Sequence, residues 1–532
     1  MRFFTAILAA LVFGVLWSPA LASDQVEIDP SFEIKGFRVE GNTLLAAETL
    51  EEVLRPFTGP AKTFQDVEAG RTALEKYYQE NGYVRVLVNI PRQTVEEGTI
   101  SLDVIETKVA RVKVVGNRYF TRASILDKLA ALESGEILYA PDVEEQFRDI
   151  NGGTDLKVKL NLVPGRQLGE DIVELTVEDR LPLHASVELN NRSGHDTADL
   201  RLNGLIRYDN LWQWGHSISF QYQTSPEDTS EVQVVGGSYV LPTPWCPQHF
   251  LAFFALWTDS ETAFGEGFSQ VGSGTFLGAR YLINLPPYQK YFHSVSLGLD
   301  YKDMDETTSM AGAESERDEA PITYMPFSIG YNSSLFDATG VTKLSAGVNM
   351  AFRGAVTDQE EFEYKRYQAR GSYIYLTLGL EREQKLPWGM QFDAALDGQI
   401  SSQALVSSEQ FSAGGMESVR GYMESEAMGD HGIHGTFELA APDLGEKLGW
   451  QKYFRLTPYL FYDFACLEVK DPLPEQDAHM TLQGTGFGIR GGLIRGLSYQ
   501  MDVAWALTET ERDTERIDEG DSRIHFFVKY QF

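Results

Sequence analysis

From Leu183 to Phe532 the sequence is a succession of stretches, about ten residues each, in which apolar and polar side chains alternate. In ADLRLNGLIRYDN, Leu200, Leu202, Ile206 and Tyr208 share one face, while Arg201, Asn203, Arg207 and Asp209 mostly take the other. HSISFQYQT repeats the scheme with Ile218, Phe220 and Tyr222, and RIHFFVKYQF ends the chain with Ile524, Phe526, Val528, Tyr530 and Phe532 on one face. Alternation of this kind gives each strand one apolar and one wet face. In lipid such strands must close on themselves, because an open edge would leave backbone groups unpaired. About sixteen of them fit the segment, an even number as single-chain bacterial barrels require. The expected fold class is a transmembrane β-barrel of about 16 antiparallel strands at 183–532, preceded by two small α+β domains.

Mean hydropathy is only −0.24, which such a barrel tolerates because half of its side chains face water. Connections alternate in length: DNLWQWG and KLPWG are short, whereas MDETTSMAGAESERDEAP and TETERDTERIDEGDS are long. Short turns belong to the periplasm and long loops to the outside. This parity puts Cys246 at the periplasmic rim and Cys466 at the outer one, too far apart for a disulfide, so both are expected as free thiols.

The chain opens MRFFTAILAALVFGVLWSPALAS, with a positive Arg2, an apolar core and a small-residue Ala20-Leu21-Ala22 triplet. This reads as a signal peptide at 1–22 rather than a retained anchor, which would need about 20 apolar residues. A short segment, 23–31, follows. Two similar stretches then start at Phe37 (FRVEGNTLLAAETLEEVL) and at Val112 (VKVVGNRYFTRASILDKL). Each puts an alternating strand before Gly-Asn and a helical pattern after it. In the first, Val67, Arg71, Leu74 and Tyr78 follow helical spacing and Asn81-Gly82 stops the helix. Each repeat closes on two alternating runs, giving strand, helix, helix, strand, strand.

The run YYQENGYVRVLVNIPRQTVEEGTISLDVIE resembles the helix, Gly-Tyr turn and closing hairpin of a polypeptide-transport-associated (POTRA) domain. POTRA domains are therefore expected at 32–107 and 108–180. Two of them before a barrel containing SVRGY resemble the two-partner-secretion transporters, the TpsB or ShlB/FhaC/HecB family of haemolysin secretion and activation proteins. LPLHASVELNNRSG, RYDNLWQWGHSISFQY, GTGFGIRGGL and the terminal aromatic add to the likeness. The resemblance implies a lumen loop at 402–431 whose motif Val419, Arg420, Gly421, Tyr422 folds into the barrel, with its arginine on an acidic residue of the inner wall. Alternation in LTPYLFYDFACLE turns Thr457, Tyr459, Phe461 and Asp463 inward, which makes Asp463 the candidate partner. It also implies Tyr530 and Phe532 as the signal read by the barrel assembly machinery.

The function so implied is export of an unfolded partner exoprotein (an adhesin, haemolysin or toxin), captured in the periplasm and passed through the barrel in the bacterial outer membrane. Alternatives are an outer-membrane protein assembly factor and a passive pore. Outer-membrane lipid and lipopolysaccharide are expected partners; nucleic acid is not, since the formal charge of −32 repels phosphate. No nucleophile elbow and no HExxH occurs, so neither an enzyme nor a cofactor is expected. His431 and His434 read as a solvated strand start rather than metal ligands. The acidic stretches Glu314 to Glu319 and Glu509 to Asp521 read as solvated surface, with a weaker reading as divalent-ion attractors. Family members place a helical plug before the first POTRA domain, but SDQVEIDPS is short for a helix. The lumen loop is then the main occluding element, with a large resting conductance.

Overall fold

The computed structural model describes residues 31–532, apart from 96, 196, 260–272, 309–317, 355, 357, 451, 475, 494 and 511–515. The expected signal peptide at 1–22 and most of the segment at 23–31, with the readings made on them, lie outside the described residues. The described chain falls into two compact units that meet in sequence at Arg180 and Leu181.

In the first unit each repeat folds as a three-stranded sheet with its last strand in the middle. Thr99–Glu106 lies between Gly36–Glu40 (parallel) and Val86–Asn89 (antiparallel); Glu170–Asp179 lies between Lys108–Val115 (parallel) and Leu156–Pro164 (antiparallel). Helices Ala47–Leu54 and Phe64–Glu80 cover the first sheet, with Leu74 and Tyr78 fully buried; Arg122–Asp127 and Ala140–Ile150 cover the second. The sequence did not foretell a small extra sheet, Phe32–Ile34 on Gly59–Lys62.

One capping device accounts for Gly-Asn in both repeats. Gly41 (φ +82°) and Gly116 (φ +91°) turn the chain where a Cβ would lie 2.2 Å and 2.4 Å from the carbonyl oxygens of Val104 and Val177; only glycine fits. The turn's free backbone N–H groups then go to a carboxylate at the end of the central strand. Glu106 accepts from Thr43 (2.7 Å) and Leu44 (3.1 Å), and Asp179 accepts from Arg118, Tyr119 and Phe120 (2.8, 2.6 and 2.9 Å to Oδ2). Between the repeats, Arg85 grips the buried Asp171 with two bonds of 2.7 and 3.0 Å, and Gly82 O accepts the Ala140 N–H at 2.9 Å.

In the second unit sixteen antiparallel strands close in sequence order, the last pairing with the first. They are Leu183–Asn190, Arg201–Leu211, His216–Thr224, Gln233–Thr243, Cys246–Thr258, Gly274–Asn284, Tyr291–Thr308, an eighth strand broken at Met325 into Asp318–Tyr324 and Pro326–Phe336, then Gly340–Ala351, Tyr373–Lys385, Gln391–Ser401, His431–Ala440, Phe454–Glu468, His479–Leu493, Leu497–Ala506 and Ser522–Gln531. Outward positions are exposed and apolar, as at Ile218, Phe220, Leu378, Leu460 and Ile524, which suits a wall solvated by lipid. Short turns gather at the end where the chain joins the barrel, and long loops at the other. Cys246 starts a strand at the turn end, Cys466 lies near the loop end, and both thiols are free.

Two details differ from the sequence reading. Leu200 precedes its strand, its N–H being held by Glu227 at 3.0 Å. The stretch MDETTSMAGAESERDEAP is in part sheet, because the seventh and eighth strands stay paired up to Thr308 and Asp318. The ladder satisfies backbone groups there as well as water would.

The Asp179 cap has a pH signature. Burial works to raise its carboxyl, but the N–H donors of Phe120, Arg118 and Tyr119 outweigh burial and hold it below the usual range. A group depressed on folding stabilises above its unfolded value, about 4, and loses that contribution as pH falls through the folded value. Asp179→Asn is expected to lower the stability of residues 108–180 by about 1 kcal/mol at pH 7, small because the carboxylate is partly solvated. In a urea titration read by hydrogen exchange, its difference from the parent should shrink below about pH 4. A difference that stays constant with pH would refute the cap.

Candidate functional site in the barrel lumen

The segment between Ser401 and His431 leaves the wall at the loop end and folds into the lumen, where Phe411–Ala413 pairs with Ala427–Gly429 as a short hairpin. Its tip carries Val419, Arg420, Gly421 and Tyr422, all buried.

Arg420 is 2% exposed. It donates from Nε and Nη2 to the two oxygens of Asp463, 2.7 Å each, and its backbone N–H adds a bond of 3.1 Å. Nη1 reaches Glu438 at 2.6 Å, and Asp502 lies 3.7 Å away. The guanidinium lies over the Phe461 ring, 3.6 Å from its centroid. A planar fork is suited to this place, because it binds a carboxylate bidentately while stacking on an aromatic face. The network continues: Arg490 joins Glu438 (2.6 Å) to Asp393 (3.0 Å), and Tyr459 and Gln500 hold Asp502. Each carboxylate faces at least one donor, as burial demands.

Three neighbouring wall strands make room for the tip. In GTGFGIRGG the glycines at 484, 486 and 488 face inward, and a Cβ on Gly484 would lie 1.9 Å from Arg420 O. Gly421, at φ +105°, passes 3.0 Å from the Ala506 nitrogen where a Cβ would sit, and its N–H goes to His525 Nε2 at 3.1 Å. The Tyr422 hydroxyl reaches the carbonyls of Gln483 (2.9 Å) and Thr508 (2.7 Å) and accepts the Thr508 N–H. From the side, Arg192 binds Glu417 and Glu424, and His195 binds Glu426 at 2.6 Å.

The remaining candidates stand apart from this cluster. Tyr530 and Phe532 stack edge-to-face, ring centroids 4.7 Å apart, on the outer side of the last strand, and Phe532 N bonds Ala185 O across the closure. His431 and His434 are not solvated as expected: His431 Nδ1 accepts the Ser401 N–H, and His434 stacks on Phe411 at 5.3 Å, because the hairpin folds over both. The acidic Glu509 pairs with Arg516, and Arg516 with Asp518 at 2.8 Å; residues 314–317 lie outside the described residues. Sequence reasoning missed Glu438, Asp502, Arg490 and His525. Alternation within each strand was the available signal for their inward aim.

Arg420→Ala would leave Asp463, Glu438 and Asp502 buried with their central cation gone. Docking of the loop is expected to weaken by about 3–5 kcal/mol, and Arg420→Lys to recover only part, since an ammonium cannot fork. Protease resistance of residues 402–430 in urea measures this. Equal resistance in parent and Arg420→Ala would mean that the pair holds nothing.

A family model described as haemolysin secretion/activation protein ShlB/FhaC/HecB matches residues 169–491, and one described as POTRA domain, ShlB-type, matches residues 32–107. The outer membrane transporter CdiB of Dickeya dadantii (strain 3937) is 23% identical over 453 residues, 79% of this chain and 74% of that protein. The heme/hemopexin transporter protein HuxB of Haemophilus influenzae is 20% identical over 437 residues, 80% of this chain and 73% of that protein. Among solved structures, CdiB from Escherichia coli has the same fold, with a TM-score of 0.67 at 17% identity over 96% of this chain and 92% of that one. BamA from Haemophilus ducreyi lacking POTRA domains 1-3 follows with a TM-score of 0.55 at 14% identity, over 94% and 100%. Because the first family model spans more than half of the sequence, the chain belongs to the ShlB/FhaC/HecB family and is an outer-membrane transporter of two-partner secretion, with its POTRA region in the periplasm.

Proposed function

We propose that the transporter captures its exoprotein unfolded in the periplasm, on the free sheet edges of two POTRA domains, 32–107 and 108–180, and passes it through a lumen from which the loop at 402–431 withdraws. The observation that carries this reading is the loop itself, a folded hairpin held inside a closed barrel by non-covalent contacts centred on Arg420. Such a plug can leave without any covalent step. No catalysis is invoked, and the bias for transport comes from folding of the exoprotein outside.

The capture edge with the most to offer is Leu156–Pro164. It pairs on one side only, with Glu170–Asp179, and its Leu160 and Val163 side chains are exposed. An extended chain added there would gain main-chain hydrogen bonds and two apolar contacts. The Arg420–Asp463 pair holds the resting loop, and Tyr530 with Phe532 forms the signal for barrel assembly. Lipid and lipopolysaccharide surround the outward face.

Surface and supernatant proteomics of the host, with and without the gene and with an Arg420→Ala strain alongside, tests the reading. One large exoprotein should vanish from outside without the gene, and fall in the variant while its barrel assembles normally. A general fall of outer-membrane barrels would instead favour an assembly factor. A photo-crosslinker at Leu160 should trap the exoprotein in transit; export that proceeds with no adduct at Leu160 or Val163 would remove this edge from the route.

A further inference from the structure

The loop end of the lumen is lined quite unlike a water-filled channel. Inward positions there carry Val234, Leu256, Phe276, Met304, Ile322 and Tyr324, none more than 7% exposed. Two segments fill the space between them. One is the connection between Ala351 and Tyr373, whose helix Gln359–Lys365 puts Phe362 against Tyr324, 5.5 Å between centroids. The other is Leu405 and Val406, at the start of the lumen loop, in the same apolar cluster. The sequence reading took the lumen loop as the main occluder; this lid is a second one, toward the outside.

The lid is fastened by a separate ion pair. Arg366, just after the helix, donates from Nη1 and Nη2 to the two oxygens of Asp430, 2.6 Å each. Asp430 is fully buried and also accepts the backbone N–H groups of Leu405 and Lys470, both at 2.7 Å. Arg366 returns bonds to the carbonyls of Leu405 and Lys470. One carboxylate thus ties together three loops: 352–372, 402–430 and 469–478. Beside it, Glu409 gathers Lys302, Tyr324 and Tyr375. None of these groups touches Asp463, Glu438 or Asp502, so the two ends of the lumen loop are held by independent anchors.

We propose that Arg366 and Asp430 form a latch that keeps an apolar lid over the outer mouth, and that an exported chain leaves only when this latch opens. The inference rests on the export reading. Asp430 is a sensitive point, because all four of its contacts are donors. Asn at this position offers one acceptor oxygen and turns an NH₂ group toward a donor, so an isosteric change both removes and opposes bonds.

Purified Asp430→Asn, with the barrel verified by its heat-modifiable band, is expected to show a severalfold higher resting conductance in planar bilayers. Conductance equal to the parent in a folded barrel would overturn the latch. A second variant guards against misfolding: Phe362→Cys with Leu405→Cys, in a Cys246→Ser, Cys466→Ser background, joined by a reductant-cleavable bis-thiosulfonate linker. Export from cells should stop when the pair is linked and resume after reduction. Export that continues while linked means the lid does not move, and sinks the proposal. Absence of any export even in the parent would strike at the transporter reading, whereas conductance decides the latch without cargo.

Discussion

A single guanidinium organises the tip of the lumen loop. Arg420 lies out of water among three carboxylates on three different wall strands, at Glu438, Asp463 and Asp502. Buried charge of either sign is costly alone, so loop and wall are each incomplete without the other. Asp463 meets its cation only with the loop inside, while Glu438 keeps Arg490 and Asp502 keeps Tyr459 and Gln500; the loop's own cation is satisfied only against that wall. This mutual need orders the hairpin, places Tyr422 on the carbonyls of Gln483 and Thr508, and brings Gly421 against the backbone near Ala506.

The same loop meets opposite walls through separate anchors, each with an ionic and an apolar part. Its tip is held on the strands from His431 to Gln531 by the Arg420 network and by Val419 and Tyr422 packed with Ala465, Leu482 and Ala506; its root is held by Asp430 on Arg366, by Glu409 on Lys302, and by Leu405 and Val406 packed against the strands from Gln233 to Lys385. Ionic contacts are directional and release together once one partner is lost; apolar packing is lost in proportion to the area exposed. Withdrawal of the loop would therefore have to undo two anchors that share no residue, each with an ionic and an apolar part.

Much of this was legible in the sequence, and for physical reasons. Alternation is enforced wherever one face meets lipid, which exposed the strand count and the inward aim of Asp463. The Gly-Asn pairs marked the two repeats, because the backbone at Gly41 and Gly116 excludes a Cβ. What stayed hidden depends on contacts between remote segments. Glu438, Arg490 and Asp502 meet only once their strands are in register, and no local pattern announces that. The lid was harder still: QEEFEYK is a strongly charged seven-residue stretch in which only Phe362 is buried, so it reads as a solvated loop.

Gly484 is an imprint of the loop in the wall, since a Cβ there would meet Arg420 O, whereas Gly486 and Gly488 make room for the Phe461 and Tyr459 rings and the Asp502 carboxylate. With the hairpin gone, that strand would present bare backbone at Gly484 alone, flanked by the aromatic and acidic side chains that lie over Gly486 and Gly488. The imprint is thus one residue long: the wall strand is shaped to the backbone at Arg420, and a residue larger than glycine at 484 would push the tip, and with it the guanidinium, off its carboxylates.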